Sequence, residues 1–212
     1  MLLLGPLALL FALITWQVVA DGPLVGVDER LSRALIEPDR TSELLADLGN
    51  VQVAVPVLVV ALACVTWRGR ATGLDRWWLP PAAGALAMVL VPVLVAPLKE
   101  WTDRPGTPAV PPAVGYYPSG HTATAVVAYG AATLLLLPLL RSAALRSGLV
   151  VLCAALVLGA SYGLVRRGYH WPLDVAASWC LGAMLLIALS LAVSRSSRRT
   201  SAGTPSPRTG PS

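Results

Sequence analysis

The sequence predicts an all-α protein, a six-span transmembrane helix bundle with one site gathered at an end of the bundle. Three observations predict it. Hydrophobic residues make up 56% of the 212, and only 13% are charged, about half the charged share of a soluble domain. The mean hydropathy is +0.68. The apolar residues also fall into six runs, at about 2–20, 51–67, 79–98, 121–140, 147–165 and 171–193. Each is close to the roughly 20 residues a helix needs to cross a hydrocarbon layer about 30 Å thick.

The first run, 2–20, has two readings. Val18-Val19-Ala20 would suit a signal-peptide cleavage point, but no Lys or Arg precedes the run, so the basic start of such a peptide is missing. A retained span is the better reading; Gly5 and Pro6 are tolerated in a membrane helix. Residues 21–50 are polar, with seven acidic residues and three arginines. Leu31, Leu35, Leu44, Leu45 and Leu48 suggest one or two short amphipathic helices on the surface, with a solvated loop as the alternative. Asp39 is a plausible helix start, as are Thr41 and Ser42.

The second run ends in Trp67, and Arg68, Arg70 and Arg76 follow before Trp77 and Trp78 mark an interface. In the third run, Pro80 and Pro81 fit a first helical turn. Pro92 and Pro97 imply a kink or an early stop close to Lys99. Residues 102–118 read as a rigid loop rich in Pro and Gly. The fourth and fifth runs flank a very short turn with Arg141 and Arg146. After the sixth come Arg195, Arg198, Arg199 and a Ser/Thr/Pro/Gly tail, 195–212, expected to be disordered and cytoplasmic. The spans and this tail make one membrane domain, 1–194, plus an appendage.

Orientation follows from the arginines. They fill the loops after the second and fourth spans and the C-terminal tail, so both termini are expected in the cytoplasm. The loop after the third span and the turn between the fifth and sixth then lie together on the extracytoplasmic side of the cell membrane. The net charge of +5 therefore serves topology; no continuous basic surface points to a nucleic acid. Cys64, Cys153 and Cys180 are odd in number, dispersed and apolar in setting, which fits helix packing and no disulfide framework. Nothing indicates a homo-oligomer.

The two outer segments carry the polar clusters: Lys99-Glu100-Trp101-Thr102-Asp103-Arg104-Pro105 and Tyr116-Tyr117-Pro118-Ser119-Gly120-His121 in one, Arg166-Arg167-Gly168-Tyr169-His170-Trp171-Pro172-Leu173-Asp174 in the other. Lys99, Arg104, Arg166 and Arg167 supply the fixed positive charge a phosphate needs. Ser119 suits an N-cap, leaving the amides of Ser119-Gly120 and the following turn to face an anion. Asp174 lies four residues after His170, the spacing at which a carboxylate holds an imidazole and makes it a nucleophile. His121, from another span, is the candidate general acid. Singly, each histidine fits an anchored helix end, Lys99 and Arg104 fit snorkelling, and Trp101, Tyr116, Tyr117 and Trp171 fit an interfacial belt. A metal held by His121, His170 and Asp174 matches no common zinc spacing, and the surrounding cations would oppose it.

These residues resemble the type 2 phosphatidic acid phosphatase (PAP2) family. Its three motifs are Lys-x6-Arg-Pro, Pro-Ser-Gly-His and Ser-Arg-x5-His-x3-Asp. Pro118-Ser119-Gly120-His121 matches the second in full, Lys99 opens the first, and His170 and Asp174 close the third. The resemblance implies that His170 attacks phosphorus to give a phosphohistidine, Asp174 orients it, and His121 protonates the leaving group. It also implies that Lys99, Ser119 and the Gly120 amide hold phosphate oxygens without a metal or other cofactor. Two positions depart from the pattern. The first-motif arginine falls on Gly106, followed by Thr107, with Arg104-Pro105 two residues early. The third-motif serine and arginine fall on Gly163 and Leu164, with Ser161 and Arg166 two residues away. Arg104 sits in an irregular loop and is expected to reach the phosphate. Arg166 reaches only if its helix ends or bends first, since two residues turn a helix by about 200°; Arg167 is the substitute.

The reading is therefore a membrane phosphatase acting on a lipid phosphate or a polyprenyl diphosphate, with phosphatidic acid, phosphatidylglycerol phosphate and undecaprenyl diphosphate as the substrates the resemblance suggests. The partners are membrane lipids. The alternative is a non-hydrolytic lipid-phosphate binder or carrier, motivated by Gly106 and Leu164. A transporter would place polar groups near mid-bilayer, where these runs have almost none.

Overall fold

The computed structural model describes residues 3–201. It is all helical: α1 (Leu4–Val19), α2 (Pro23–Leu35), α3 (Arg40–Asp47), α4 (Val51–Ala71), α5 (Leu79–Thr102), α6 (Gly120–Leu136, prolonged by a 3-10 turn at Leu137–Leu139), α7 (Ala143–Arg166) and α8 (Pro172–Ser201). The protein is an integral membrane protein of five to six spans. α4, α5, α6 with its 3-10 turn, α7 and α8 each have the length and apolar character to cross by themselves. α1 is 16 residues long, about 24 Å at 1.5 Å per residue. It qualifies only together with α2, from which it is bent by 87°. Asp21 takes a left-handed φ of +48 at that corner, and Pro23 opens α2, where its missing N–H costs nothing.

α6 is the axis of the bundle, with α4, α5, α7 and α8 packed around it. Its sequence explains why. Gly120 to Thr133 is almost wholly Gly, Ala, Thr and Val, and small residues let neighbouring backbones approach closely where the bilayer supplies no hydrophobic drive between helices. A methyl group on Gly130 would strike Leu186 of α8, and one on Gly182 would strike Val126. The outer helices turn valines and leucines such as Val60, Val89 and Val151 outward, as lipid contact requires.

Several expectations are corrected. α5 does not stop near Lys99: it runs through Pro92 and Pro97 to Thr102, ending at Asp103 with φ +46. α7 begins at Ala143, so Arg146 lies inside it. α8 continues to Ser201, so residues 195–201 are helical where a disordered tail was expected; 202–212 lie outside the described residues. The polar segment does form two helices. Asp39 caps the second: its Oδ1 accepts from the Ser42 N–H at 2.6 Å while Ser42 Oγ accepts from the Asp39 N–H at 3.0 Å, a reciprocal capping box. α3 is not a free surface helix, because its inner residues are Ser42 and Ala46 and they lie on α7. Gly163 permits that contact, as a Cβ there would meet the Ala46 nitrogen and come within 2.7 Å of the Ser42 carbonyl oxygen.

Candidate active site

Two chain reversals at one end of the bundle build the site. In the first, Ser119 caps α6, its Oγ accepting the Thr122 N–H at 3.2 Å. The Ser119 N–H donates to the Asp174 carbonyl at 3.2 Å, and Ser178 Oγ donates to the carbonyls of both Ser119 and Asp174 at 2.8 Å. The first turns of α6 and α8 are thereby tied together. In the second, Gly168 turns the chain after α7 with φ +77, a conformation that suits glycine. The N–H groups of Tyr169 and His170 then donate to the Leu164 carbonyl at 2.9 and 3.3 Å. The loop 103–119 folds over this turn: Thr107 Oγ1 donates to the Gly168 carbonyl, and Trp171 Nε1 donates to the Pro105 carbonyl at 2.9 Å.

The result brings the two histidines together, ring centroids 6.3 Å apart and planes inclined by 57°. His170 Nδ1 lies 3.2 Å from Asp174 Oδ2. With Nδ1–H donating to the carboxylate, the Nε2 lone pair is left for a reacting atom. Asp174 is completely buried and both of its oxygens are engaged. Oδ2 also accepts the Trp171 N–H at 3.1 Å, and Oδ1 accepts from Arg104 Nη1 at 2.6 Å. His121 Nε2 sits 2.9 Å from Asn50 Oδ1, and Asn50 Nδ2 donates to Asp47 Oδ1 at 2.7 Å.

Both histidines open onto a cavity of about 780 Å³. Its polar end is Lys99, Tyr116, Gly120, His121 and His170; the rest is an apolar wall of Val51, Met88, Val91, Pro92 and Val95. Lys99 Nζ gives one hydrogen bond to the Gly115 carbonyl at 2.6 Å, leaving two of its three N–H donors for a ligand. Tyr116 presents its ring to His170 at 5.8 Å. Among the described residues no group of three or more His, Cys, Asp or Glu side chains is placed to hold a metal ion.

Of the residues singled out from the sequence, His121, His170, Lys99 and Gly120 line the cavity and Asp174 stands directly behind His170. Ser119 is fully buried and its hydroxyl is spent on the helix cap. The three arginines are elsewhere. Arg104, only 6% exposed, is clamped between Asp174 and Asp28 of α2, its Nη2 2.6 Å from Asp28 Oδ2. Arg166 pairs with Glu37 at 2.8 Å and Asp39 at 3.6 Å, and Arg167 with Glu43 at 3.6 Å. α7 stays helical through Arg166, so the rotation that would have brought this guanidinium to the phosphate side never occurs. Ser161 is equally occupied, accepting from Trp179 Nε1 at 2.9 Å and donating to Val157.

The departures at 106, 163 and 164 have a packing origin. A Cβ on Gly106 would lie 2.7 Å from the Tyr116 ring and from Val110, Gly163 is roofed by α3, and Leu164 is 1% exposed. Two aromatics are also not the interfacial belt expected. Tyr117 is wholly buried, and because Thr15 Oγ1 donates to Phe11, the phenol donates to Thr15 at 2.7 Å. Burial pushes that phenol far above its ordinary pKa, so it stays a donor. Trp171 packs inside against the loop; Trp101 remains exposed. Asp28 and Asn50 went unnoticed in the sequence. Asn50 stands just before an apolar run, the place of an N-cap, yet its side chain caps nothing and turns to His121 instead.

A model of the PAP2 superfamily matches residues 80–198, more than half of the chain, from the second residue of α5 through α7 and most of α8. The chain belongs to the PAP2 superfamily. That membership carries the family's general activity, lipid-phosphate hydrolysis at a membrane face. Among solved structures, the first transmembrane PAP2 type phosphatidylglycerolphosphate phosphatase, from Bacillus subtilis, is similar in fold. Its TM-score is 0.76 at 22% identity, over 92% of this chain and 98% of that one. No curated protein matches. Asp28 and Asn50 fall outside the segment that the PAP2 model matches.

Proposed function

We propose that this PAP2 protein hydrolyses a lipid phosphate through a phosphohistidine on His170. One observation carries the reading: two histidines from different helices flank a single cavity at 6.3 Å, one of them backed by a buried carboxylate. His170 Nε2 attacks phosphorus while Asp174 stabilises the imidazolium that forms on Nδ1. His121 protonates the departing oxygen as general acid. Lys99 and the Gly120 amide at the N-terminus of α6 hold the phosphoryl oxygens. Water admitted after the alcohol leaves then cleaves the P–N bond, with His121 as its base.

The cavity supports a lipid substrate: a volume of about 780 Å³ suits a head group with part of a chain. Lys99 is the one cationic side chain among the described residues that line it. That favours a single phosphate, as in phosphatidic acid or phosphatidylglycerol phosphate, over a polyprenyl diphosphate such as undecaprenyl diphosphate. Arg68, Arg70, Arg76, Arg141 and Arg146 flank the far ends of the spans, so the positive-inside rule puts both termini in the cytoplasm and the site outside.

The second reading, a lipid-phosphate binder without turnover, is favoured by the engagement of Arg104, Arg166 and Arg167 with carboxylates. Phosphate release from a short-chain phosphatidic acid, by purified protein in detergent without added metal, separates the two. Hydrolysis by the wild type and its loss in His170→Ala supports catalysis. Retained lipid-phosphate binding with no release by the wild type supports the binder.

A further inference from the structure

We propose that Asp28, on α2 and outside the family-matched segment, is a positioning residue for His170 that acts by balancing the charge of Arg104, so that Asp174 stays anionic toward His170. This rests on the phosphohistidine reading above.

The argument starts from the charges. Asp174 can stabilise an imidazolium only if it remains an unneutralised anion toward His170. Yet Arg104 Nη1 sits 2.6 Å from its Oδ1 in a site where both groups are almost fully buried. A guanidinium alone there would cancel the carboxylate and leave His170 facing a neutral pair. Asp28 supplies the second anion. Its Oδ2 accepts from the other terminal nitrogen of the same guanidinium at 2.6 Å, and it is 3% exposed. The three groups together carry one net negative charge, and the ring of His170 lies against it.

Asp28 is itself fixed from the reaction side. Its Oδ1 accepts the Leu173 N–H at 2.8 Å, in the first turn of α8 and one residue before Asp174. A continuous chain of contacts therefore runs from Leu173 through Asp28, Arg104 and Asp174 to His170. α2 is otherwise an amphipathic helix with solvent-facing Arg30 and Arg33, and its buried residues are Asp28 and Ser32. A carboxylate on the inner face of such a helix is costly unless paired, and here the pairing reaches the nucleophile in three contacts, through Arg104 and Asp174. Asp28 does not line the cavity. Its effect should therefore appear in the chemical step and not in binding.

The test compares steady-state phosphate release from dioctanoyl phosphatidic acid by purified full-length wild type, Asp28→Asn, Asp28→Asn/Arg104→Gln and His170→Ala in detergent. Asp28→Asn keeps the shape and removes the charge. The expected loss in kcat is on the order of tenfold to a hundredfold, the effect of one unit charge several ångströms from the ring at an effective dielectric of about 20. KM should stay within about twofold. The double variant removes the guanidinium that Asp28 balances, and it should recover kcat relative to the single one. Recovery also supports the assignment if Asp28→Asn alone aggregates while the double variant is monodisperse and active. Wild-type kcat in Asp28→Asn, a change confined to KM, or a double variant no better than the single one overturns it. A wild type that releases no more phosphate than His170→Ala overturns the hydrolase reading itself, a result distinct from any of these.

Discussion

Arg104→Met tests what the arginine of the first loop is for. In the family pattern an arginine near this position holds the substrate phosphate; here the same residue type is buried between two carboxylates at 2.6 Å each. Methionine matches the stem of arginine and packs in irregular space, so the substitution removes chiefly the charge. It strands Asp28 and Asp174, which are 3% and 0% exposed, without a countercharge. Breaking a buried ion pair from one side costs about 3–5 kcal/mol. For a chain of this size each kcal/mol shifts the thermal midpoint by about 2–4 °C, so the midpoint should fall by roughly 6–20 °C. Thermal unfolding of the detergent-purified protein, followed by helical circular dichroism, reads this directly. If Arg104 were chiefly a phosphate ligand, Arg104→Met would unfold within a degree or two of the wild type and raise KM. That outcome would refute the structural role argued from the two short ion pairs.

Three further outcomes follow from the same geometry. Arg166→Ala should leave phosphate release within about threefold of the wild type, because this guanidinium pairs with the exposed Glu37 and such pairs contribute little; a hundredfold loss would place Arg166 in the site after all. His121→Ala should lower kcat/KM, which reports the step up to departure of the leaving group, by about 10² to 10⁴ on an alkyl phosphate ester, the contribution of a general acid, and far less on p-nitrophenyl phosphate, whose leaving group needs no proton; equal losses of kcat/KM on both would remove His121 from that role. Gly163→Ser restores the family's residue at that register, yet it should destabilise the protein by about 1–3 kcal/mol through overpacking against α3. An unchanged thermal midpoint in that variant would mean α3 is not seated on α7 as described.

The sequence made some of this legible for physical reasons that can be named. Span positions follow from runs of apolar residues, which the bilayer demands directly. His170 and Asp174 were legible because their partnership is local, four residues apart. Partnerships set by tertiary packing were not. Arg104 and Asp28 meet across 76 positions, and nothing in the composition of α2 distinguishes Asp28 from its solvated acidic neighbours. Arg166 and Arg167 looked like phosphate ligands because they are basic and close to His170 in sequence. Their actual partners, Glu37, Asp39 and Glu43, come from a segment whose docking on α7 depends on Gly163. Tyr117 and Trp171 were read as interfacial aromatics by the same limitation: their polar atoms find partners in α1 and in the 103–119 loop only once the chain has folded back.

The reading of His170 as the nucleophile is tested most directly by trapping the enzyme in mid-reaction. Phosphatidic acid labelled with ³²P, mixed with the purified protein and quenched within milliseconds in alkali and SDS, should leave label on the chain. Phosphohistidine survives alkali and is lost in acid. The account predicts an alkali-stable, acid-labile label mapping to the peptide that contains His170, absent from His170→Ala. Label on a different residue, or full turnover by His170→Ala, would contradict it.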